Sequence, residues 1–226
     1  MKTLVSWSSG KDSAWMVHTL RRRGDVEIGA LLTTINEPAQ RVAMHAVRVE
    51  VLRVQAAALG LPLWLVPIPS PCPNEVYEEA MRLVVARAVG EGFTHAAFGD
   101  LFLEDIRKYR KERLAGSGLT PLFPLFGTAA DTPALARRMI AAGLRARITC
   151  LNPTVMDRRF AGREFDAALL DELPPSIDHC AERGEFHTCA YDGPMFNYPV
   201  AVDTGVTVER DGYVFTDLTL SHQSPG

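Results

Sequence analysis

The sequence predicts an α/β protein: a doubly wound parallel sheet with helices on both faces, followed by a smaller α+β domain. Three observations carry this. In the first half, short apolar segments alternate with segments of helical period. The first apolar segment, Thr3-Leu4-Val5-Ser6-Trp7, runs through a turn of small residues straight into a helix. From about Gly127 the alternation gives way to turn-rich sequence that ends in a hairpin signal. The expected division is residues 1–127 and 128–226.

Taken in order, residues 14–23 read as a helix stopped by Gly24, and residues 28–34 as the second strand. Residues 42–59 read as the second helix. Met44, Val47, Val51, Val54 and Ala58 recur at helical spacing, Arg48, Arg53 and Gln55 lie opposite, and Gly60 ends it. Residues 61–68 form a third strand whose regular part Pro62 and Pro67 confine to the middle. Asn74 is placed to cap a helix that runs to Val89 and stops at Gly90. Residues 94–98 form a strand that empties into Gly99-Asp100, before a helix beginning near Leu103. In the second part, Thr132 is an N-cap with Pro133 at the first helical position, and Gly143 closes that helix. Residues 146–151 read as a strand and residues 164–173 as a short helix before Pro174-Pro175. Val206 and Val208 then alternate with Thr207 and Glu209 up to an Asp211-Gly212 turn. On the return, Phe215 is out of phase with Leu218 and Leu220, which predicts a bulge near Thr216-Asp217. Residues 221–226 read as a loose tail.

Composition narrows the function classes. With 226 residues, 47% of them hydrophobic, the chain can bury a sizeable core. A net charge of −3 gives no whole-molecule attraction to nucleic acid or an anionic membrane. No apolar run is long enough to span a bilayer, and Met1-Lys2 leads directly into the first strand, so no signal peptide is expected and the chain reads as cytoplasmic. Four scattered cysteines do not suggest a disulfide framework, and His179, Cys180, His187 and Cys189 do not follow paired zinc-ligand spacing.

The chemistry-bearing residues collect at one edge. Ligands of such sheets bind beyond the carboxyl ends of the strands. Ser8-Ser9-Gly10-Lys11-Asp12-Ser13, Thr33 with the loop after it, and Gly99-Asp100 all fall there. A small-residue turn at a helix N-terminus offers N–H groups and the positive end of the helix dipole. Lys11 adds a charge at its mouth and the serines add hydroxyls, the parts needed to hold a polyphosphate. The loop is not a Walker A motif, because Asp12 follows Lys11 where that motif has Ser or Thr. Asp100 reads either as a Mg2+ ligand or as a helix cap. The 103–114 segment reads either as a solvated charged face or as the source of Tyr109 and Arg110 for a substrate. His45, just past Asn36-Glu37-Pro38, reads as structural or functional. Near the end, Glu182-Arg183-Gly184-Glu185-Phe186-His187-Thr188 offers a carboxylate, an imidazole and a hydroxyl on a glycine-hinged loop. It reads equally as a surface loop with a tight Asp192-Gly193-Pro194 turn.

The opening loop resembles the SGGKDS loop of the N-type ATP pyrophosphatases, with Ser9 where that pattern has its second glycine. Together with Gly99-Asp100, Tyr109-Arg110 and the Glu185-Phe186-His187-Thr188 and Tyr191-Asp192-Gly193-Pro194-Met195-Phe196 segments, the chain from Leu4 to Phe196 resembles the diphthamide-synthesis ATP pyrophosphatase family. The resemblance implies a PP-loop, Rossmann-like fold and a diphthine–ammonia ligase-like activity. ATP would be bound by Ser8, Ser9, Gly10, Lys11, Asp12, Ser13, Thr33 and Gly99, with Mg2+ on Asp12 and Asp100. Lys11, Asp100, Glu185 and His187 would be catalytic, and His45, Tyr109, Arg110 and Thr188 would contact substrate. Partners would be ATP, ammonia and a carboxylate, either diphthine on elongation factor 2 or a small, cobalamin-related molecule; a homodimer is left open. Phe160-Ala161-Gly162-Arg163-Glu164-Phe165-Asp166 and Asp178-His179-Cys180 look like a bacterial branch, while Ala181 and Arg183 depart from relatives that carry Gly and Asn. A non-catalytic nucleotide sensor is the alternative from another class.

Overall fold

The computed structural model describes residues 1–221; residues 222–226, most of the expected tail, lie outside the described residues. Strand β1 (Lys2–Ser6) leads to helix α1 (Lys11–Arg23), then β2 (Glu27–Asn36), a two-residue β3 (Arg41–Val42), α2 (Val49–Leu59), β4 (Leu63–Ile68), α3 (Asn74–Gly90), β5 (His95–Ala97), α4 (Glu104–Leu114) and β6 (Thr120–Leu122). Pairing runs β4-β2-β1-β5-β6, all parallel, with β3 folded back antiparallel on the end of β2. The chain therefore builds outward from β1 on one side, then on the other, and the switch lies between β1 and β5.

Both sheet faces are covered. Leu4 of β1 packs with Ala30, Val84, Ala88, Phe93, Ala96 and Leu114 under α3 and α4. Val5 packs on the opposite face with Met16, Leu20, Val51 and Leu52 of α1 and α2. That second core continues into the C-terminal part through Ile148, Phe160, Phe165 and Phe186. There α5 (Thr132–Ala141), β7 (Arg145–Leu151), α6 (Ala167–Glu172), β8 (Phe186–Asp192), β9 (Val202–Arg210) and β10 (Tyr213–Leu220) surround an antiparallel sheet of order β8-β7-β10-β9.

Several boundaries correct the sequence reading. The second helix begins at Val49, because residues 41–48 form β3 and a turn with left-handed backbone at Met44 (φ 63) and Ala46 (φ 56). Met44 points to solvent at 61% exposure, and Gln55 is fully buried. Asn74 is the first residue of α3 and not its cap; Pro73 holds that place and Gly90 still belongs to the helix. Asp131 caps α5, so Thr132 lies inside it, and α6 is capped by Asp166, whose side chain accepts from Leu169 N–H. The hairpin turn at Asp211-Gly212 and the register shift between Thr216 and Leu218 are where the sequence predicts them.

Gly29 in β2 marks a tight core contact. A Cβ there would lie 2.6 Å from Cε1 of Phe93, whose ring packs edge-on to Trp64. Gly29→Ala is expected to destabilise the chain by about 1–3 kcal/mol through overpacking. The denaturant midpoint measures this, and Phe93→Leu in the same chain should recover part of the loss.

Candidate functional site

The β1–α1 loop is held from three sides. Thr33 on β2 donates its hydroxyl to the Trp7 carbonyl at 2.6 Å, and Trp7 N–H donates to Leu32 O at 2.8 Å. The Ser9 carbonyl accepts from Ala190 N–H of β8 at 2.8 Å and from Gln55 Nε2 at 3.1 Å. Ser9 does have a glycine-like φ of 73, and its hydroxyl donates to Cys189 Sγ at 3.4 Å. Gly10 is closely approached: a Cβ would lie 3.1 Å from Thr188 O and 3.2 Å from His45 Cε1, so each neighbour would have to give by a few tenths of an ångström.

Lys11 does not stand at the mouth of the turn. It is buried, donating to Asp12 Oδ2 at 2.8 Å and to the Cys180 carbonyl at 2.5 Å, with the rings of Phe165 and Phe186 on either side. Burial, the largest effect, opposes its charge, but Asp12 beside it together with Cys180 and Glu182 more than offset this and raise its pKa. The same burial pushes the Asp12 carboxyl up. The Lys11 N–H donates to Thr188 Oγ1 at 3.1 Å, so β8 supplies an acceptor for the first N–H of α1.

A polar cavity of about 240 Å³ opens over this pair, walled by Ser8, Ser13, Gly99, Asp100, Arg110, Cys180, Glu182, His187 and Thr188. Asp100 does not cap α4; Leu103 holds that position. Instead Asp100 accepts from Arg110 Nε at 2.6 Å and Nη2 at 3.1 Å, and Arg110 lies over the Phe98 ring. His45 and His187 face each other at 4.6 Å between ring centroids. Burial pushes their pKa values down, to about 3 and about 4, which leaves both imidazoles neutral at pH 7. Glu182 accepts from Leu101 N–H at 2.8 Å, and burial lifts its carboxyl to about 7.

A second, largely apolar cavity of about 360 Å³ adjoins the first and shares Ser6, Ser8, His45, Arg110 and His187 with it. Its walls include Leu32, Thr33 and Thr34 at the end of β2 and Met81, Val84 and Val85 of α3.

The fold thus brings together the residues of the first loop, Thr33, His45, Gly99, Asp100, Arg110, His187 and Thr188. Two others go elsewhere. Glu185 directs both carboxylate oxygens to backbone N–H groups, of Asp178 at 3.1 Å and Arg183 at 3.0 Å, and shapes the loop instead of facing the cavity. Tyr109 lines an outer cleft between α3 and α4, under Arg113. The residues that sequence reasoning missed are Glu182 and Gln55. Glu182 stands in the quoted motif, but spacing alone does not say which of its two carboxylates turns inward. Gln55 gave no signal, because a glutamine that falls with Arg48 and Arg53 on the polar side of the helical pattern looks like a surface position.

For Mg2+ the donors are few. Asp12 Oδ1 is buried with no partner, whereas both Asp100 oxygens are taken by Arg110. Among the described residues no group of three or more His, Cys, Asp or Glu side chains could hold a metal ion, and no helix is long and apolar enough to cross a membrane. The residues fit an ion that keeps most of its ligands as water and phosphate oxygens, as Mg2+ commonly does.

Two family models match the chain in order: the diphthamide synthase N-terminal domain over residues 1–115 and the diphthamide synthase C-terminal domain over residues 131–217. No curated protein matches it.

Proposed function

The chain belongs to the diphthamide synthase family, and on that premise we propose that it is an ATP-dependent ligase that adenylates a carboxylate and couples it to ammonia. The observation that carries this reading is the pair of adjoining cavities, one apolar and nucleoside-sized, the other polar at the start of α1, joined where His45 and His187 meet. In this reading the base and ribose lie against residues 32–34 and α3. The β- and γ-phosphates approach the N-terminus of α1, where Lys11 lies beneath them. A carboxylate oxygen of the substrate attacks the α-phosphorus, the α–β bridge breaks, and pyrophosphate leaves. Ammonia then attacks the acyl carbon, loses a proton and expels AMP, leaving an amide.

The chain's residues supply positioning and charge. A neutral imidazole at His187 can donate N–H to the α-phosphate, whereas the one N–H of neutral His45 goes from Nδ1 to the Thr188 carbonyl at 3.3 Å and leaves Nε2 an acceptor. Glu182, with a carboxyl near 7, is suited to take the proton from the amine. Arg110, already fixed by Asp100, can meet phosphate or carboxylate. Mg2+ would be held by Asp12, whose Oδ1 has no partner, and not by Asp100, whose oxygens Arg110 occupies; it would neutralise charge on the phosphates.

Product analysis tests this. With ATP, Mg2+, ammonium and a panel of carboxylates that includes diphthine-bearing elongation factor 2, the expected products are AMP and pyrophosphate, with pyrophosphate requiring the carboxylate and sustained release of AMP requiring ammonium as well. ADP and phosphate would overturn the reading. Tight ATP binding with no turnover on any carboxylate would favour a nucleotide sensor.

A further inference from the structure

His45 sits at the crest of a turn that its neighbours' side chains disfavour. Met44 and Ala46, on either side, both have left-handed backbone although neither is glycine. Such conformations persist where surrounding structure enforces them. Inside the turn, Val42 N–H donates to Val47 O at 2.8 Å, Ala46 N–H to Val42 O at 3.0 Å and His45 N–H to Ala43 O at 2.7 Å. These bonds close the turn, and against the C-terminal part His45 itself makes only one long bond, Nδ1 to Thr188 O at 3.3 Å, which is weak and alone does not fix it.

The two feet of the turn do. Arg41 and Arg48 form a backbone bridge, and both side chains converge on Asp217. Arg41 Nη1 donates to Asp217 Oδ1 at 2.8 Å and also to Ala46 O at 2.7 Å. Arg48 donates to Asp217 Oδ2 from Nε at 3.0 Å and from Nη2 at 2.6 Å. Asp217 lies at the β10 bulge, and a bulge re-aims a side chain out of its strand's alternation. Opposite it stands Gly205, where a Cβ would lie 3.3 Å from the Asp217 Cβ. Burial would raise the Asp217 carboxyl, yet the bonds from Arg48 and Arg41 hold it at about 2, so it is a carboxylate at any working pH.

We propose that Asp217 is a positioning residue: by clamping Arg41 and Arg48 it holds the 41–48 turn so that His45 stays against His187 and Gly10 at the junction of the two cavities. This rests on the reading of those cavities as the ATP-processing site, and its test is arranged to fail separately. The titratable and charged groups that face His45 are His187 and, farther off, Lys11, so its titration reports its placement.

The first measurement is NMR titration of the ring-labelled histidines, with His45 assigned through His45→Ala. In Asp217→Ala the His45 titration should rise from about 3 toward the ordinary range near 6.5; an unmoved His45 would overturn the proposal whatever the chain's activity. Should that variant not fold, Arg48→Gln removes the larger set of bonds and must give the same shift. The second measurement is a double-mutant cycle on kcat/KM. Asp217→Ala should lower it about tenfold in the native background and less than about twofold in His45→Ala. Equal losses in both backgrounds would show that Asp217 acts independently of His45. A native chain without ATP turnover would overturn the ligase reading alone, and the His45 titration would then decide the clamp.

Discussion

Lys11→Met is expected to reduce ATP turnover by about two orders of magnitude or more and to weaken the fold at the same time. Both effects come from one geometry. Lys11 is buried, yet it lies beside a cavity whose other walls carry Asp12, Asp100 and Glu182. Without its charge, a polyphosphate entering that cavity would meet three carboxylates with only Arg110 in opposition. The structural cost is separate. Asp12 Oδ2 and the Cys180 carbonyl would each lose a buried donor, and the cost falls below the roughly 3–5 kcal/mol of a fully buried pair because the Asp12 side chain is 26% exposed. Asp12 can relieve part of that by taking a proton. Its carboxyl is already raised by burial, and loss of Lys11 raises it further. A carboxyl raised in the folded state costs stability that accumulates as pH climbs from its unfolded value to its folded one and stays in full above that. Lys11→Met should therefore be closer to the native stability at pH 5 than at pH 8, as denaturant titration at the two values would show. Unchanged turnover and unchanged ATP affinity would remove Lys11 from the site.

What the sequence disclosed follows from which interactions are local. Strand–helix alternation and the strand-edge rule locate the first loop, Thr33 and Gly99-Asp100, because these depend on period and chain direction. The Asp211-Gly212 turn and the phase break at Phe215 are equally local, and both stand in the structure. The direction of Lys11 is not local. It is set by the Cys180 carbonyl and the rings of Phe165 and Phe186, more than 150 residues away along the chain. The helical spacing of Met44 and Val47 is real in the sequence, but Arg41 and Arg48 are held by Asp217, and the resulting turn displaces the helix start to Val49. Distinguishing Glu182 from Glu185 needs Asp178, whose N–H holds Glu185 away from the cavity and whose side chain accepts from Glu182 N–H. Ser9 is the instructive middle case: the local pattern shows that glycine is expected there, and only the structure shows that serine adopts the glycine conformation.

Glu182→Gln should make the chain less active and, at alkaline pH, more stable. Glu182 holds its carboxyl near 7 because burial disfavours the anion more than the Leu101 N–H favours it, with Asp12 and Asp100 adding repulsion. Between the ordinary glutamate value of 4.5 and about 7 the folded state therefore keeps a proton that the unfolded chain gives up. Stability falls with rising pH across that window, by up to an amount on the order of 2–3 kcal/mol. A glutamine side chain accepts the same Leu101 N–H without carrying charge, so the variant loses that slope. Measured in EDTA, the two chains should have similar unfolding free energies near pH 4.5, and by pH 8 Glu182→Gln should be the more stable. Turnover behaves oppositely. A base that accepts a proton from the amine must be ionised, so native activity should rise through an apparent pKa near 7. The variant should lose about 10²-fold or more of the rate and the pH dependence with it. Parallel stability slopes in the two chains would mean that the Glu182 carboxyl titrates normally, and a retained activity profile would assign the proton transfer to another group. The combination of gained stability and lost rate is the mark of a carboxylate kept in an unfavourable place because the reaction uses it there.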